Sequence, residues 1–329
     1  HMKAVPGRKT DVKDAEWIAE LLQHGLLQPS YIPSKDQREL RELVQYRKSL
    51  VGERTRELNR LQKMLEGANI KLSGTVTNIN GKSARKILEY ILSGNEIDEK
   101  KYDEMYEEKL IAHNLKASKE QILDDLKGFM SPLQRRMLKE LLQHLDELNV
   151  HIENLNDEID NFMKPEEKQA SQVIQDVTGI GNTSAQTIIA VIGTDMERFP
   201  SDRHISSWAG LCPGDNVSAK KRKSGKIRKG NALLKSTLVL CAHAAVRHKS
   251  SYFHAQFKRI STHRGKKRAY VAVAHSILIA IYHILKDGVK YQDLGAEYYN
   301  QFNAERKIHA YLKKLKALGW EPPKEAVPA

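Results

Sequence analysis

Apolar residues recur at helical spacing along most of the chain, and two long segments show the pattern most clearly. From Asp36 to about Glu66, leucines alternate with arginines, glutamates and lysines, and Gly67 follows as a stop signal. In a second segment the apolar positions are separated by steps of three and four residues over about three and a half heptads. These positions are Leu138, Leu141, Leu145, Leu148, Ile152, Leu155, Ile159 and Phe162.

The two patterns predict two long helices, the second with a coiled-coil seam. The seam could pack on the helix from Asp36 to Glu66 or on another protomer, because an antiparallel pair within one chain gives the same pattern. A further helix is expected from Lys9 to Leu22, with Gly25 at its end, and a short one from Ala84 to Leu92. We interpret the acidic stretch from Asn95 to Glu108 as a solvated connector.

Pro165 ends the second long helix and marks an expected domain boundary. Beyond it, helical patterns run from Thr183 to Ile192, through the apolar stretch from Ala242 to Val246, and from Ala269 to Leu285. The fold class is therefore mostly α, with long coiled-coil helices and a compact helical C-terminal domain. We expect a helical and coiled-coil region over 35–164, the compact domain over 165–300 and a tail over 301–329.

Composition agrees with this class and limits the others. The chain has 329 residues, of which 40% are hydrophobic and only 6% aromatic, so a sheet lined with base-stacking rings is not expected. Two cysteines, Cys212 and Cys241, are too few for a disulfide framework or a four-cysteine zinc site. The sequence predicts a cytoplasmic protein with reduced thiols and no membrane segment.

Positive charge is concentrated in one part of the chain. Residues 201–270 contain 17 Lys+Arg and 2 Asp+Glu, a net charge of +15, whereas the whole chain carries +13. Such a field attracts a polyanion, so nucleic acid is the expected partner. The cations that we expect to hold its backbone are Lys220, Lys221, Arg222, Lys223, Lys226, Arg228 and Lys229, with Lys266, Lys267 and Arg268 as a second cluster.

A glycine turn joins two of the predicted helices of the C-terminal domain. The turn contains Gly179 and Gly181 on either side of Ile180, an arrangement that resembles a helix-hairpin-helix. Backbone N–H groups at such a turn can hold a phosphate at a helix N-terminus, although a plain tight turn explains the glycines equally well.

Two sets of side chains could carry chemistry. Ser218 and Ser224 lie in the basic segment, where cations would stabilise charge as a serine attacks a phosphodiester; the alternative is a polar loop that hydrogen-bonds a nucleic-acid backbone. Asp11 and Asp14 could bind Mg²⁺, although N-capping and favourable charge at a helix start account for them as well. His275 lies without the companions that a metal site needs, so no structural zinc is expected.

Several segments in a fixed order resemble one known family. They are Lys9-Thr10-Asp11-Val12-Lys13-Asp14-Ala15, Gly179-Ile180-Gly181, Arg198-Phe199-Pro200, Trp208-Ala209-Gly210-Leu211-Cys212-Pro213-Gly214, Lys223-Ser224-Gly225-Lys226, Lys229-Gly230-Asn231 and Ala272-Val273-Ala274-His275. Together they are similar to the DEDD insertion-sequence transposases, a family that includes bridge-RNA-guided serine recombinases. The resemblance runs over nearly the whole chain.

The resemblance implies an N-terminal RuvC-like α/β domain with four acids, a coiled-coil segment and a C-terminal transposase domain with an essential serine. It places the third and fourth acids at Asp11 and Asp14, and the serine at Ser218. Ala219-Lys220 follows that serine where family members often have Gly or Ala-Gly, so Ser224 stays a second candidate.

The first two acids of the family lie upstream of the Lys-Thr-Asp element and have no counterpart here. His1-Met2 is typical of a cloning remnant. We therefore expect residues 1–34 to be the C-terminal remnant of the RuvC-like domain, and this chain to be truncated and inactive although its parent is an enzyme.

By resemblance, the parent protein is a transposase that cleaves and joins DNA through a serine nucleophile, aided by Mg²⁺ at the acidic site. A non-coding guide RNA would choose the sites, and a homo-oligomer, a dimer or a tetramer, would bring acids and serine together. The alternatives are a non-catalytic nucleic-acid-binding and oligomerisation fragment, and a RuvC-like metal-dependent nuclease.

Overall fold

A computed structural model describes residues 10–27, 32–95, 97–111, 117–213, 216–218, 221–224, 227–301 and 304–320. The mostly helical class predicted from the sequence is confirmed in these residues, which also contain one small β-hairpin. The elements are α1 (Asp11–Gln23), α2 (Lys35–Gly67), α3 (Leu72–Thr75), α4 (Lys82–Leu92), α5 (Glu99–Glu107), α6 (Lys119–Asp125), α7 (Pro132–Phe162), α8 (Pro165–Ile174), α9 (Asn182–Ile192), α10 (Asp202–Trp208), β1 (Asn216–Ser218), β2 (Lys221–Ser224), α11 (Ala232–Val246), α12 (Tyr252–Arg264), α13 (Lys266–Asp287), α14 (Tyr298–Gln301) and α15 (Ala304–Ala317).

The two long helices, α2 and α7, pack against each other in antiparallel orientation. Three polar contacts fix the register: Asp36 Oδ2 lies 2.7 Å from Lys164 Nζ, Arg54 Nη1 donates to Asn149 Oδ1 at 3.2 Å, and Glu57 Oε1 lies 3.6 Å from His144 Nδ1. Residue numbers fall along α7 as they rise along α2. The heptad seam is therefore covered by α2 of the same chain.

The seam predicted from the sequence is correct at six of its positions and wrong at two. Leu142, and not Leu141, is buried near the start of α7, because α4 also packs against this part of the helix. At the other end, Met163 continues the buried face, whereas Phe162 is 39% exposed. Leu138, Leu145, Leu148, Ile152, Leu155 and Ile159 are buried as expected.

Each long helix contributes to two hydrophobic cores. The distal core joins Leu61 and Leu65 of α2 and Leu138 to Leu145 of α7 to the short helices α3 to α6. The prediction that Asn95 to Glu108 form a solvated connector is wrong. Helix α5 belongs to the distal core and buries Tyr102 and Met105 on one face. These two apolar side chains are three residues apart, and the acids around them occupy the exposed face.

The proximal core contains the other halves of α2 and α7 together with α8 to α13, so hydrophobic packing continues across Pro165. At the centre of this core lies α13, which buries Val273, Ala274, Ile277, Leu278 and Ile281. By length and composition alone α13 is also the one helix among the described residues that could cross a membrane. Its burial in the proximal core explains that apolar composition.

A buried arginine joins the long helices to the glycine turn. Arg47 of α2 is 2% exposed and donates hydrogen bonds to Asn156 Oδ1 at 3.0 Å, to Gln186 Oε1 at 2.6 Å and to the carbonyl oxygen of Thr183 at 3.0 Å. Burial lowers the pKa of the Arg47 guanidinium to about 10, which leaves it charged at neutral pH. Gln186 is itself held in place, since its amide donates to Asp160 Oδ1 at 3.3 Å.

We predict that Arg47→Leu lowers the free energy of unfolding by about 3 kcal/mol, because several buried acceptors lose their donor together. Urea denaturation followed by circular dichroism measures the change. The matched control is Lys63→Ala on the same helix, where the side chain is exposed and the expected change is below about 0.5 kcal/mol. Equal stability of the two variants would contradict this role for Arg47.

Candidate functional site

The basic segment that the sequence suggested as a loop contains a short β-hairpin. Its strands β1 and β2 pair in antiparallel register, with Ser218 opposite Lys221, Val217 opposite Arg222 and Asn216 opposite Ser224. A register shift between Asn216 and Val217 leaves Lys223 as the extra residue of a bulge. The hairpin therefore places Ser218 at the end of β1, towards the tip, and Ser224 towards the base.

Of the expected nucleic-acid contacts in this segment, Lys220 and Lys226 lie outside the described residues. Lys221, Arg222 and Lys223 all belong to β2, where Lys221 lies opposite Ser218, Arg222 lies opposite Val217 and Lys223 is the bulge residue. A strand of consecutive cations next to a hydroxyl matches the requirement for holding a phosphodiester, which needs positive charge around its oxygens.

Two glycines fasten the base of this hairpin to the helical domain. Pro213 and Ile227 form a further bridge below the strands. A Cβ atom added to Gly230 would lie 2.4 Å from the backbone nitrogen of Gly210, and one added to Gly210 would lie 2.8 Å from the backbone nitrogen of Gly230. The two backbones are thus in direct contact, and Gly210 also adopts a positive φ of 72°. This contact holds the two ends of the hairpin together between α10 and α11.

The remaining predicted cations are exposed on the same domain. Arg228 and Lys229 are exposed at the base of the hairpin, just before α11. Lys266, Lys267 and Arg268 are exposed in the first turn of α13. Cations at the start of a helix oppose its positive end, so this cluster costs stability unless an anion lies nearby.

The two glycines of the predicted helix-hairpin-helix have different surroundings. Gly179 has a φ of 94°, and a Cβ atom there would lie 2.5 Å from the carbonyl oxygen of Cys241 and 2.6 Å from the backbone nitrogen of Ala245. It therefore packs directly on the backbone of α11. Gly181, the N-cap residue of α9, is exposed with open space around it. Of the two, only Gly181 faces solvent where a phosphate could approach.

Asp11 and Asp14 occupy the first turn of α1, after the N-cap residue Thr10, whose hydroxyl accepts from the backbone nitrogen of Lys13 at 3.4 Å. Asp11 is exposed and Asp14 half-buried, and no residue of α1 is buried. Carboxylates are the donors that Mg²⁺ prefers. Among the described residues, however, no third acid, histidine or cysteine joins them, so they do not form a complete metal site by themselves.

The cysteines and histidines of the domain occupy ordinary packing positions. Burial raises the pKa values of the Cys212 and Cys241 thiols, which keeps both protonated at neutral pH. Burial likewise lowers the pKa of His275, which favours its neutral form. His283 Nδ1 lies 2.7 Å from Asp287 Oδ2 on the exposed side of α13. In the described part of the chain, no group of metal-binding side chains of three or more is present.

Comparison with known proteins gives two family matches, and each of them includes part of the candidate site. Residues 171–258, which include the hairpin, match the family model described as "Transposase IS116/IS110/IS902 family". Residues 1–70, which include Asp11 and Asp14, match the DEDD transposase model of the IS110 family. Two separate segments of the chain are thus similar to family models of insertion-sequence transposases. The serine hairpin lies in one matched segment and the acidic pair in the other.

Individual relatives agree with the family matches. The chain is 32% identical over 108 residues to the transposase for insertion sequence element IS1111A of Coxiella burnetii, covering 32% of this chain and 29% of the relative. It is 27% identical over 135 residues to the insertion element IS110 uncharacterized 43.6 kDa protein of Streptomyces coelicolor, covering 39% of this chain and 31% of the relative. The aligned segments therefore span less than a third of either relative.

Sequence reasoning missed two features around the hairpin. One is the contact between Gly210 and Gly230, whose only signal is that a glycine stands on either side of the basic segment. The other is Asp293, whose Oδ1 accepts from the backbone nitrogens of Tyr252 and Gly295, both at 2.8 Å, and whose Oδ2 lies 3.3 Å from Thr178 Oγ1. Asp293 thereby connects the glycine turn to α12, and no sequence motif indicates this role.

Proposed function

We propose that this chain is the DNA-handling part of an insertion-sequence transposase that cleaves and joins DNA through Ser218. The observation that carries the proposal is the hairpin, which sets Ser218 in register with Lys221 inside the segment matched by the transposase family model. A nucleophile of low reactivity needs neighbouring positive charge when it attacks a phosphodiester. Lys221, the strand partner of Ser218, would supply it together with the other cations of β2.

The reaction would consist of two transesterifications. In the first, Ser218 Oγ attacks phosphorus, one P–O bond of the DNA breaks, and the departing DNA hydroxyl takes up the proton that the serine loses. In the second, a hydroxyl of the strand to be joined attacks the same phosphorus and releases serine, which regains its proton. Each step exchanges one P–O bond for another, so no water and no redox partner is consumed. Ser224 is the alternative nucleophile in the same scheme.

Asp11 and Asp14 are proposed to contribute to a divalent-metal site in the complete protein, with the family's two other acids. A bound Mg²⁺ there would supply charge neutralisation at the phosphate. The described residues provide no third ligand beside these two carboxylates, so the remaining metal ligands would come from elsewhere in the complete protein.

The partners that we propose are DNA and a structured guide RNA, with site choice made by base pairing. If base pairing chooses the site, the protein needs only to hold the nucleic-acid backbone, which is the role proposed for its clustered cations. A cytoplasmic dimer or tetramer would bring the serine of one protomer to the acids of another. The α7 seam is already covered by α2, so protomer contacts would have to use other surfaces.

The proposal predicts that the triple variant Lys221→Ala, Arg222→Ala, Lys223→Ala binds a labelled DNA duplex at least about tenfold more weakly, since phosphate contacts dominate affinity. The slope of log affinity against log salt should fall by about 0.9 per contact removed. Fluorescence anisotropy over a salt series measures both. A triple variant that binds with the parent's affinity and slope would show that the hairpin does not hold DNA.

A second candidate function, a nucleic-acid-binding and assembly module without chemistry, also predicts that loss of affinity. It differs in predicting that Ser218 can be replaced without loss of any reaction in the complete transposase. The exposed cations of the first turn of α13 favour nucleic-acid binding in either case, because an anion would offset their unfavourable position.

A further inference from the structure

A groove between α2 and α11 lies beside the base of the hairpin and has a volume of about 570 Å³. Arg41, Lys48 and Arg56 line it from α2, and Asn231 and Leu233 line it from the start of α11. None of the described residues that line it is acidic. These cations lie outside the segment of concentrated positive charge at residues 201–270.

The three cations lie along one side of α2. They are separated by seven and eight residues, which is about two helical turns each, so their side chains point in similar directions. At a rise of about 1.5 Å per residue, the row from Arg41 to Arg56 is about 22 Å long. Six acids also belong to α2, yet none of them lines the groove, so its cations are separated from the acids of the same helix.

Two of these cations remain available to an anion. Lys48 Nζ donates to the hydroxyl of Ser236 at 2.5 Å, which positions the ammonium without neutralising it. Within the described residues Arg56 is exposed and forms no ion pair. Arg41 is held in place by hydrogen bonds to the carbonyl oxygens of Ala190 and Val191, at 3.0 and 2.5 Å.

A glycine in the middle of α2 opens the groove. Gly52 lines it, and a Cβ atom there would meet only Arg56 Nη1, at 3.6 Å, which is an ordinary contact. Packing within the chain therefore does not require glycine at this position. Glycine inside a helix costs stability relative to alanine, and a close approach by a ligand is one use that offsets this cost.

The groove is continuous with the proposed reaction site along the chain. Only residues 225–231 separate β2 from α11, and they include the exposed cations Arg228 and Lys229. The start of α11 then forms one wall of the groove. A polyanion held at the hairpin would thus meet a further row of positive charge directly beyond the hairpin base.

We propose that the α2–α11 groove binds the phosphodiester backbone of a nucleic acid whose adjoining part lies at the serine hairpin. This inference rests on the proposed function and extends it to a second contact surface, on the long helix. The groove would position the strand for reaction at the hairpin, and its ligand would be the duplex DNA that continues from the hairpin.

The test compares the 329-residue chain with the variant Lys48→Ala, Arg56→Ala in binding to a labelled DNA duplex and to a labelled RNA duplex. Fluorescence anisotropy at about 50 to 200 mM salt should show at least a tenfold loss of affinity and a slope lower by about 1.8. The control Lys63→Ala, Lys139→Ala removes two exposed lysines of the distal half and should leave both quantities unchanged.

Gly52→Leu tests the shape of the groove without changing charge. Leucine is a good helix former, so the variant should keep or raise the thermal melting temperature measured by circular dichroism while it binds the probe more weakly. Weaker binding of the DNA probe, with or without weaker binding of the RNA probe, supports the proposal, whereas loss with the RNA probe alone would overturn it.

Unchanged affinity and slope for the DNA probe in the double variant would overturn the groove proposal. The hairpin variant Lys221→Ala, Arg222→Ala, Lys223→Ala, measured in parallel, separates this failure from a wider one. If that variant alone loses binding, the proposed function stands without the groove. If neither variant loses binding, the proposed function fails as well.

Discussion

Replacing Ser218 with alanine is expected to reduce DNA strand joining by about 10³-fold or more in a transposase that contains the complete acidic domain, because the nucleophile is lost. DNA affinity should stay at the parent's level, since the cations of β2 remain in place. Joining is measured with labelled donor and target duplexes, and binding with the same duplexes by fluorescence anisotropy.

Ser224→Ala is the matched control for this experiment, because Ser224 lies in the same hairpin, opposite Asn216 and nearer the base. We expect it to retain joining. If Ser224→Ala abolishes joining and Ser218→Ala does not, the nucleophile is Ser224. If both variants join DNA normally, a serine mechanism is wrong and the metal-dependent nuclease becomes the better explanation.

Replacing Gly179 with alanine is expected to lower the free energy of unfolding by about 3 kcal/mol or more. Its φ of 94° is unfavourable for any residue with a Cβ, and that Cβ would lie 2.5 Å from the carbonyl oxygen of Cys241. Relief would require α11 to move away from the turn between α8 and α9. Urea denaturation followed by circular dichroism measures the effect.

Gly181→Ala provides the comparison, because the site is open and φ is −100°. We expect its stability to change by no more than about 1 kcal/mol. If the turn also holds a phosphate, Gly181→Ala should weaken DNA binding although the fold is intact. Equal stability of the Gly179 and Gly181 variants would contradict the contact between Gly179 and α11.

The helical framework was accessible from the sequence because heptad spacing is a long and repetitive signal. Ile152, Leu155 and Ile159 are buried as the pattern required. The choice between Leu141 and Leu142 was not accessible, because it depends on α4, which packs there from a distant part of the chain. The burial of Tyr102 was not predicted, because the many charged residues around it outweighed the two apolar positions of a short segment.

The same distinction applies to the candidate site, where local composition was predictable and contacts between distant segments were not. Local composition identified the basic segment with Ser218 and Ser224 as candidate nucleophiles, and the preference for Ser218 came from the family resemblance. The hairpin register that pairs Ser218 with Lys221 depends on how strands meet, and the row of Arg41, Lys48 and Arg56 becomes a site only when α11 packs beside α2. Such contacts between distant segments leave no local pattern.

The central claim, that a serine of the hairpin attacks DNA, is tested most directly by trapping the covalent intermediate. The complete transposase would be incubated with labelled DNA, a guide RNA and Mg²⁺, and the DNA-linked peptide would be mapped by mass spectrometry. The account predicts a phosphodiester adduct on Ser218. Cleaved DNA with no adduct on any serine of the hairpin would contradict it.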